Sequence, residues 1–375
     1  MPSLLNKVDP EGLLEYSVVF TDRAVNHMSA NFQQVMNQIS TTLKKVYNAE
    51  TVAVIPGTGT IGMESVARQF AQDKKCLVIR NGWFSYRWTQ IFDMGHIPSE
   101  HSVYKASRTE DAHQAPFQPY NIDEIVAVIK NEKPSVVFAP HVETSCGMIL
   151  PDDYITAVAE ATHSVGGIFV LDCIASGTVW VDMKATGVDV LISAPQKGWS
   201  GTPCAGLVMM SARATELLET TTSSSFSIDL KKWAQIMQAY ENGGHAYHAT
   251  MPTDALRWFR DVIVETEEYG FDKVKANQIE LGKRVRTLLA SKGFKSVAAE
   301  GFEAPGVVVC YTDDASIKNG SKFKAAGLQI AAGVPLACDE PADFQTFRLG
   351  LFGLDKLKNV DRTVSNLEEA LNTFA

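Results

Sequence analysis

Short apolar runs recur through the first two-thirds of the chain, and most are apolar on both faces. Thr51–Ile55, Cys76–Arg80, Ser135–Ala139, Ile168–Ile174, Asp189–Ser193 and Ala205–Ser211 are rich in Val, Ile and Leu. A strand with helices on both sides has no polar face, so a largely parallel sheet between two helical layers is the expected core. Gly62–Ala71, Ile122–Asn131 and Tyr154–His163 read as covering helices. In the second of these, Ile122, Ile125, Val126 and Ile129 follow the i, i+3, i+4, i+7 spacing of one helical face. Asn121 is a suitable N-cap, and Pro134 stops the chain beyond the other end.

The pattern changes after about Pro252. Helical stretches run to Gly293, then a strand (Gly306–Tyr311), a helix near Ile317–Ala326, a strand (Phe347–Leu351) and a last helix. In that helix Val360, Val364, Leu367 and Leu371 share a face. This reads as a smaller α+β domain beside an α/β one. The expected division is residues 17–255 for the large domain and 256–375, with the segment 1–16, for the small one. The Ser-rich stretch Thr220–Ser227 is expected to be a surface loop.

Composition narrows the function classes. With 45% hydrophobic and 21% charged residues in 375, the chain can bury a large core. Its formal charge of −9 does not suit a general nucleic-acid binder. Six cysteines are too sparse for a disulfide scaffold. The start, MPSLLNKVDPEGLLEYS, lacks a basic head and an apolar run. The most apolar long stretch, Gly166–Val181, carries Asp172, Ser176 and Thr178 and is shorter than a spanning helix. A cytoplasmic location with reduced thiols and no membrane partner is the expectation.

Four features carry chemistry. Pro56-Gly57-Thr58-Gly59-Thr60-Ile61-Gly62 follows a strand and opens a helix, where glycines and free N–H groups favour an anion. An ordinary strand-to-helix turn would look the same. Asp172 closes an apolar strand, at the sheet edge where ligands collect in open α/β folds. It could equally serve as a cap or an ion-pair partner. Lys197, in Ser193-Ala194-Pro195-Gln196-Lys197-Gly198-Trp199, follows the next strand 25 residues later. A sheltered lysine has a lowered pKa and can form a Schiff base. Arg348, in Phe347-Arg348-Leu349-Gly350-Leu351-Phe352, either points to solvent or clamps a substrate carboxylate. A phosphate cradle, an Asp, a Lys and a carboxylate-binding Arg are together the parts that pyridoxal 5'-phosphate (PLP) needs. No metal site is expected.

In the order and spacing of these motifs, from about Asn26 to Leu371, the chain resembles the class V aminotransferases of PLP fold type I. It is most similar to their alanine–glyoxylate / serine–pyruvate group. The resemblance implies a large domain with a mostly parallel seven-stranded sheet and a smaller C-terminal domain. Thr58, Gly59 and Thr60 match the phosphate loop. Asn81-Gly82-Trp83-Phe84-Ser85 matches the segment whose fourth residue stacks on the cofactor ring, which gives Phe84 that role and leaves Trp83 and Trp88 to the core. His141-Val142-Glu143-Thr144-Ser145-Cys146-Gly147 matches a stretch in which Thr144 would bond the ring hydroxyl. Asp172 would pair with the pyridine nitrogen, Ile174 would pack on the ring face opposite Phe84, and Gln196 would contact the phosphate. Lys197 would be the Schiff-base lysine and Arg348 the substrate-carboxylate arginine. Tyr247-His248-Ala249-Thr250-Met251-Pro252 resembles a segment whose Tyr247 and Thr250 would reach the neighbouring subunit's phosphate, implying a homodimer with shared sites.

One departure concerns the pocket. The Gly-Pro turn that relatives carry near the N-terminus is missing, and Val18–Val25 leads straight into Asn26-His27-Met28-Ser29. Asp22, Arg23 and His27 then either line an altered pocket or lie in a solvated loop. The expected reaction is a two-half transamination, with Lys197 as general base, from an amino acid or small amine to a small 2-keto acid. Three other readings share part of this pattern. A 2-aminoethylphosphonate–pyruvate aminotransferase would want a second cation, from Arg23 or Arg87. A cysteine desulfurase or lyase would need a mobile thiol, for which Cys338 is the candidate. A PLP-dependent regulator would need a DNA-binding domain and a basic patch.

Overall fold

The computed structural model describes residues 4–375. Its centre is a seven-stranded sheet in the order Thr51–Pro56, Ala205–Met210, Val190–Ser193, Ile168–Asp172, Val136–Pro140, Lys75–Arg80, Glu100–Lys105. Ala205–Met210 runs antiparallel to both its neighbours, and every other pairing is parallel. The remaining six strands therefore point the same way, and their carboxyl ends share one edge. Asp172 sits on that edge, in register with Pro140 on one side and Ile192 on the other. The loops that begin at Gly57, Asn81, His141, Cys173 and Ala194 all leave from it.

Both-face burial is what the apolar runs required: Val136–Pro140, Ile168–Asp172, Val190–Ser193 and Ala205–Met210 are buried at every position. Each fully buried aliphatic or aromatic side chain contributes about 1.5–3 kcal/mol. The helix Trp83–Gly95 is tied to the sheet by rings, with the Trp88 and Phe138 centroids 4.4 Å apart and Phe92 and Phe138 5.2 Å apart. The helix Ile122–Glu132 begins as expected, Asn121 Oδ1 accepting from the amides of Asp123 and Glu124.

A second core forms around an antiparallel sheet in the order Val307–Tyr311, Thr346–Gly350, Ala331–Ala332. It gathers Val274, Leu281, Val285, Phe323, Phe347 and Leu371. The helix Thr253–Tyr269 contributes Leu256, Phe259 and Ile263 to the first core. The chain passes from one core to the other around Gly270, whose φ of +106° favours glycine. Of the segment 1–16, residues 1–3 lie outside the described residues. The carbonyls of Lys7 and Val8 accept from the Arg257 guanidinium.

Several elements differ from the sequence pattern. The edge strand Glu100–Lys105 is half-exposed and polar, so no apolar run marked it. The segment near Ile317–Ala326 is two short helices, broken at Gly320, whose φ is +79°. The strand from Ile168 stops at Asp172, because Asp172 Oδ1 accepts the Ile174 amide at 2.9 Å and curls the chain.

Candidate active site

Two helices open at the carboxyl edge of the sheet. The helix Gly59–Phe70 begins three residues earlier than its apolar pattern indicates, because Thr58 caps it. Thr58 Oγ1 accepts from the Ile61 amide at 3.3 Å and the Thr58 carbonyl from Gly62 at 3.1 Å. The amides of Gly59 and Thr60 remain at the helix start, the arrangement that attracts an anion. Gly57 has φ +131°, and a Cβ at Gly59 would lie 2.6 Å from Ile174 Cδ1. The expected cradle and the expected ring-packing residue, Ile174, are therefore in contact.

The helix Trp83–Gly95 carries Phe84 and Arg87 in its first turns. Arg87 Nη1 donates to Thr60 Oγ1 at 2.9 Å, which ties this helix to the cradle. The Phe84 ring has two guanidiniums near it, Arg87 at 5.3 Å and Arg348 at 5.6 Å from its centroid. These are within cation–π range. Trp88 is fully buried and Trp83 half-buried against Tyr86.

Asp172, Lys197 and Arg348 complete the group. Burial pushes the Asp172 carboxyl up to about 7; its bond from Ile174 opposes the rise, Glu143 adds to it, and Arg87 and Lys197 oppose it. Burial also lowers the Lys197 amine below the ordinary lysine range, and the positive charges of Arg348 and Arg87 lower it further, with Asp172 opposing. These mutual effects put the four side chains in one electrostatic neighbourhood. Arg348 lies on the central strand of the small sheet, its Nε donating to the Ala332 carbonyl at 2.8 Å. The hydrogen bonds described for Arg87 and Arg348 thus go to a hydroxyl and a carbonyl, not to an acid.

The loop that carries Lys197 is held closely. The Gly201 amide bonds the Pro195 carbonyl at 2.8 Å, and Trp199 is buried with its indole N–H on Tyr47 Oη. A Cβ at Gly198 would lie 1.9 Å from the Gly177 carbonyl oxygen, so the lysine loop rests directly on the loop that follows Asp172. Ser200 Oγ accepts the Leu354 amide, which joins the lysine loop to the end of the Arg348 strand's connection. The Lys197 amine lies 5.5 Å from the Phe352 ring, a neighbour the sequence pattern did not single out. Gln196 is half-buried, and its carboxamide oxygen has no partner among the described residues.

The remaining candidates differ in exposure. Thr144 is 9% exposed, in the turn after Glu143. Tyr247 and Thr250 are exposed and bond each other at 3.1 Å, and Tyr247 also faces His27. None of their described contacts is with the Asp172–Lys197 group. Asp22 and Arg23 form an exposed pair with each other, whereas His27 is buried among Phe20, His245 and Tyr247. Cys338 is buried, its thiol pushed up to about 12 by burial, and it faces the Arg80 carbonyl. Such a thiol is not a nucleophile near neutral pH.

Residues 11–342 match the family described as aminotransferase class V. Two relatives are 2-aminoethylphosphonate–pyruvate transaminases. That of Vibrio parahaemolyticus is 26% identical over 351 residues, covering 90% of this chain and 89% of its own. That of Bacillus mycoides is 26% identical over 347 residues, covering 90% and 88%. The fold is shared with an alanine–glyoxylate aminotransferase from Nostoc sp., with TM-score 0.74, 20% identity and coverage of 92% and 89%. With the family matched across both cores and the lysine, acid and arginines meeting at one sheet edge, the chain belongs to the class V aminotransferases, the PLP-dependent enzymes that transfer amino groups.

Proposed function

We propose that the protein binds pyridoxal 5'-phosphate and moves an amino group from a small amino acid or amine to a small 2-keto acid such as pyruvate or glyoxylate. The observation that carries this reading is the packing of the Lys197 loop on the loop that follows Asp172, with the Arg87 and Arg348 guanidiniums both beside Phe84. The residues fit the cofactor. The Gly59 and Thr60 amides, the Thr58 and Thr60 hydroxyls and Gln196 suit its phosphate. The unpartnered Gln196 carboxamide, turned over, offers N–H donors. Phe84 and Ile174 supply apolar faces for the ring, Thr144 a hydroxyl for its oxygen, Asp172 a carboxylate for its nitrogen and Lys197 an amine for its aldehyde.

When bound, pyridoxal phosphate supplies an electron-accepting ring that acidifies the substrate Cα–H. Lys197 Nζ would then take the proton from Cα and, as general acid, deliver it to the carbon that keeps the amino nitrogen. Its lowered pKa keeps a larger share of the amine free for that work near neutral pH. Arg348 holds the substrate carboxylate through its guanidinium fork. Phe352 lies beside the lysine amine and covers it on one side.

The reading is tested by loading the full chain with pyridoxal phosphate and adding alanine, serine, aspartate, taurine or 2-aminoethylphosphonate in turn. Bleaching of the visible absorbance by a donor, followed by its recovery with pyruvate or glyoxylate, is the expected result. Lys197→Ala is expected to lower turnover by about a thousand-fold or more. Unchanged turnover in that variant would overturn the assignment.

Arg87 favours a second reading, a 2-aminoethylphosphonate donor. A phosphonate carries more negative charge than a carboxylate, and Arg87 is a second guanidinium beside the Phe84 ring that forms no salt bridge among the described residues. The curated relatives named above bear that activity. Arg87→Met would then lower kcat/KM for 2-aminoethylphosphonate by about tenfold or more while leaving alanine less affected. Equal losses for both donors would count against the phosphonate.

We also infer a two-fold dimer with shared sites. The exposed Tyr247–Thr250 pair supports it, and so do Leu13, Tyr16 and Val18, which lie largely exposed. Light scattering on the purified chain tests this. No helix among the described residues is long and apolar enough to cross a membrane. The six cysteines are buried and unpaired, which supports a cytosolic location.

A further inference from the structure

Glu143 is an acid in the middle of the site that none of the roles above uses. It is fully buried. Its Oε1 accepts from the amides of Phe84 (3.2 Å) and Ser145 (3.0 Å) and from Ser145 Oγ (2.7 Å). Its Oε2 accepts from the amide of Ser85 (2.9 Å) and from Ser85 Oγ (2.8 Å). Ser145 Oγ in turn accepts the Trp83 amide at 2.9 Å. The first three amides of the helix Trp83–Gly95 are therefore closed by one turn that follows another strand. A carboxylate suits this because every group aimed at it is a donor. The packing is tight: a Cβ at Gly82 would lie 2.0 Å from Ser145 Oγ and 2.7 Å from Glu143 Cγ.

The capped helix begins with Phe84 and Arg87. The Phe84 ring is approached by Arg87 from its own helix and by Arg348 from the small sheet. A shift of the helix start would therefore move an aromatic face and a guanidinium of the site together. We propose that Glu143 is a positioning residue, its buried carboxylate fixing the helix start so that Phe84 and Arg87 keep their places in the cofactor and substrate site. The proposal rests on the pyridoxal-phosphate reading.

The test compares Glu143→Gln with the wild-type full chain. A glutamine keeps the volume but turns an N–H₂ toward amide donors. Three quantities are read: thermal melting of the cofactor-free protein, the pyridoxal-phosphate dissociation constant from tryptophan quenching, and the circular dichroism of the bound cofactor's visible band. The expected result is a dissociation constant weakened about tenfold or more and a visible band of clearly reduced amplitude, since the ring is no longer held in one orientation. Should Glu143→Gln fail to fold, Ser85→Ala removes one donor of the same cap, and a weakening of several-fold in the same direction is expected. A variant that melts earlier yet keeps the wild-type dissociation constant and band would reduce Glu143 to a purely structural group and overturn the proposal. Wild-type protein that binds no pyridoxal phosphate would overturn the reading beneath it as well, so the two failures are distinguishable.

Discussion

Two helices begin at the same edge of one sheet, and their first turns are completed in opposite ways. At Trp83–Gly95 the leading amides are filled from inside the protein, by Glu143 and Ser145. At Gly59–Phe70 the Thr58 side chain caps the turn, and the proposed function assigns the Gly59 and Thr60 amides to a ligand. A helix start is a partial positive charge in either case. The first is neutralised by a residue of the fold and becomes a rigid platform for Phe84 and Arg87. The second remains open and, under the proposed function, would receive the cofactor phosphate. The carboxylates differ in parallel: Glu143 accepts from five donors, whereas the bond described for Asp172 is a single one, from Ile174. The Glu143 carboxylate is fully bonded, whereas the Asp172 carboxylate keeps bonding capacity for the role proposed above.

Filling the open end should break the contrast most severely. Thr60→Asp places a carboxylate at the bare amides and removes the hydroxyl that receives Arg87. Pyridoxal-phosphate affinity should fall about a hundred-fold, by titration of tryptophan fluorescence, through like-charge repulsion. Affinity within a factor of two of wild type would show that the phosphate lies elsewhere.

Disturbing the filled end should act on stability. Gly82→Ala forces a methyl group against Ser145 and Glu143 and should cost about 2 kcal/mol in urea unfolding of the cofactor-free chain. No measurable cost would mean that the cap is softer than its distances indicate.

The unsatisfied acid sharpens the comparison through pH. The native Asp172 carboxyl titrates near 7 because burial disfavours its charge, against an unfolded value near 4. Between those values the native state binds the extra proton, so this group's contribution to stability declines as pH rises from about 4 to about 7. The slope while it titrates is roughly 1.4 kcal/mol per pH unit. In the cofactor-free protein, Asp172→Asn should remove that slope, leaving the variant more stable than wild type at pH 8 and level with it near pH 4. Parallel stability profiles for the two proteins would contradict the assigned shift.

The smallest effect belongs to the cap of the open helix. Thr58→Ala removes one acceptor and should cost about 1 kcal/mol in thermal or urea unfolding. A much larger loss would mean that Thr58 also supports the Gly57 turn.

The sequence shows most plainly those features that local chemistry alone dictates. Runs such as Ile168–Asp172 and Ala205–Met210 are apolar throughout because helices cover both faces, and they mark the sheet unaided. Asn121 announces its helix start because a cap needs only its own next turn. Glu100–Lys105 was not visible because an edge strand faces water and carries a polar pattern. Within the site, Asp172 and Lys197 could be placed because each follows a strand that ends at the same edge. Arg87 appeared only as one of two possible cations, and the structure separates it from the exposed Arg23. Glu143 carries no local mark of its role. Its partners, Phe84 and Ser85, lie some 60 residues away, 59 and 58 positions along the chain, and become neighbours only once the strands align. Gly198 was read only as part of a sheltering segment, since its contact with Gly177 is made between loops.

That last contact bears on how such a protein can change over time. There is no room for a single methyl group between Gly198 and the Gly177 carbonyl, so the loop bearing the lysine and the loop following the acid are packed backbone to backbone. The distance between base and acid is thereby inherited as a fixed dimension. New substrates would have to be accommodated by surfaces free of that constraint, chiefly the helix carrying Arg87 and the small-sheet strand carrying Arg348.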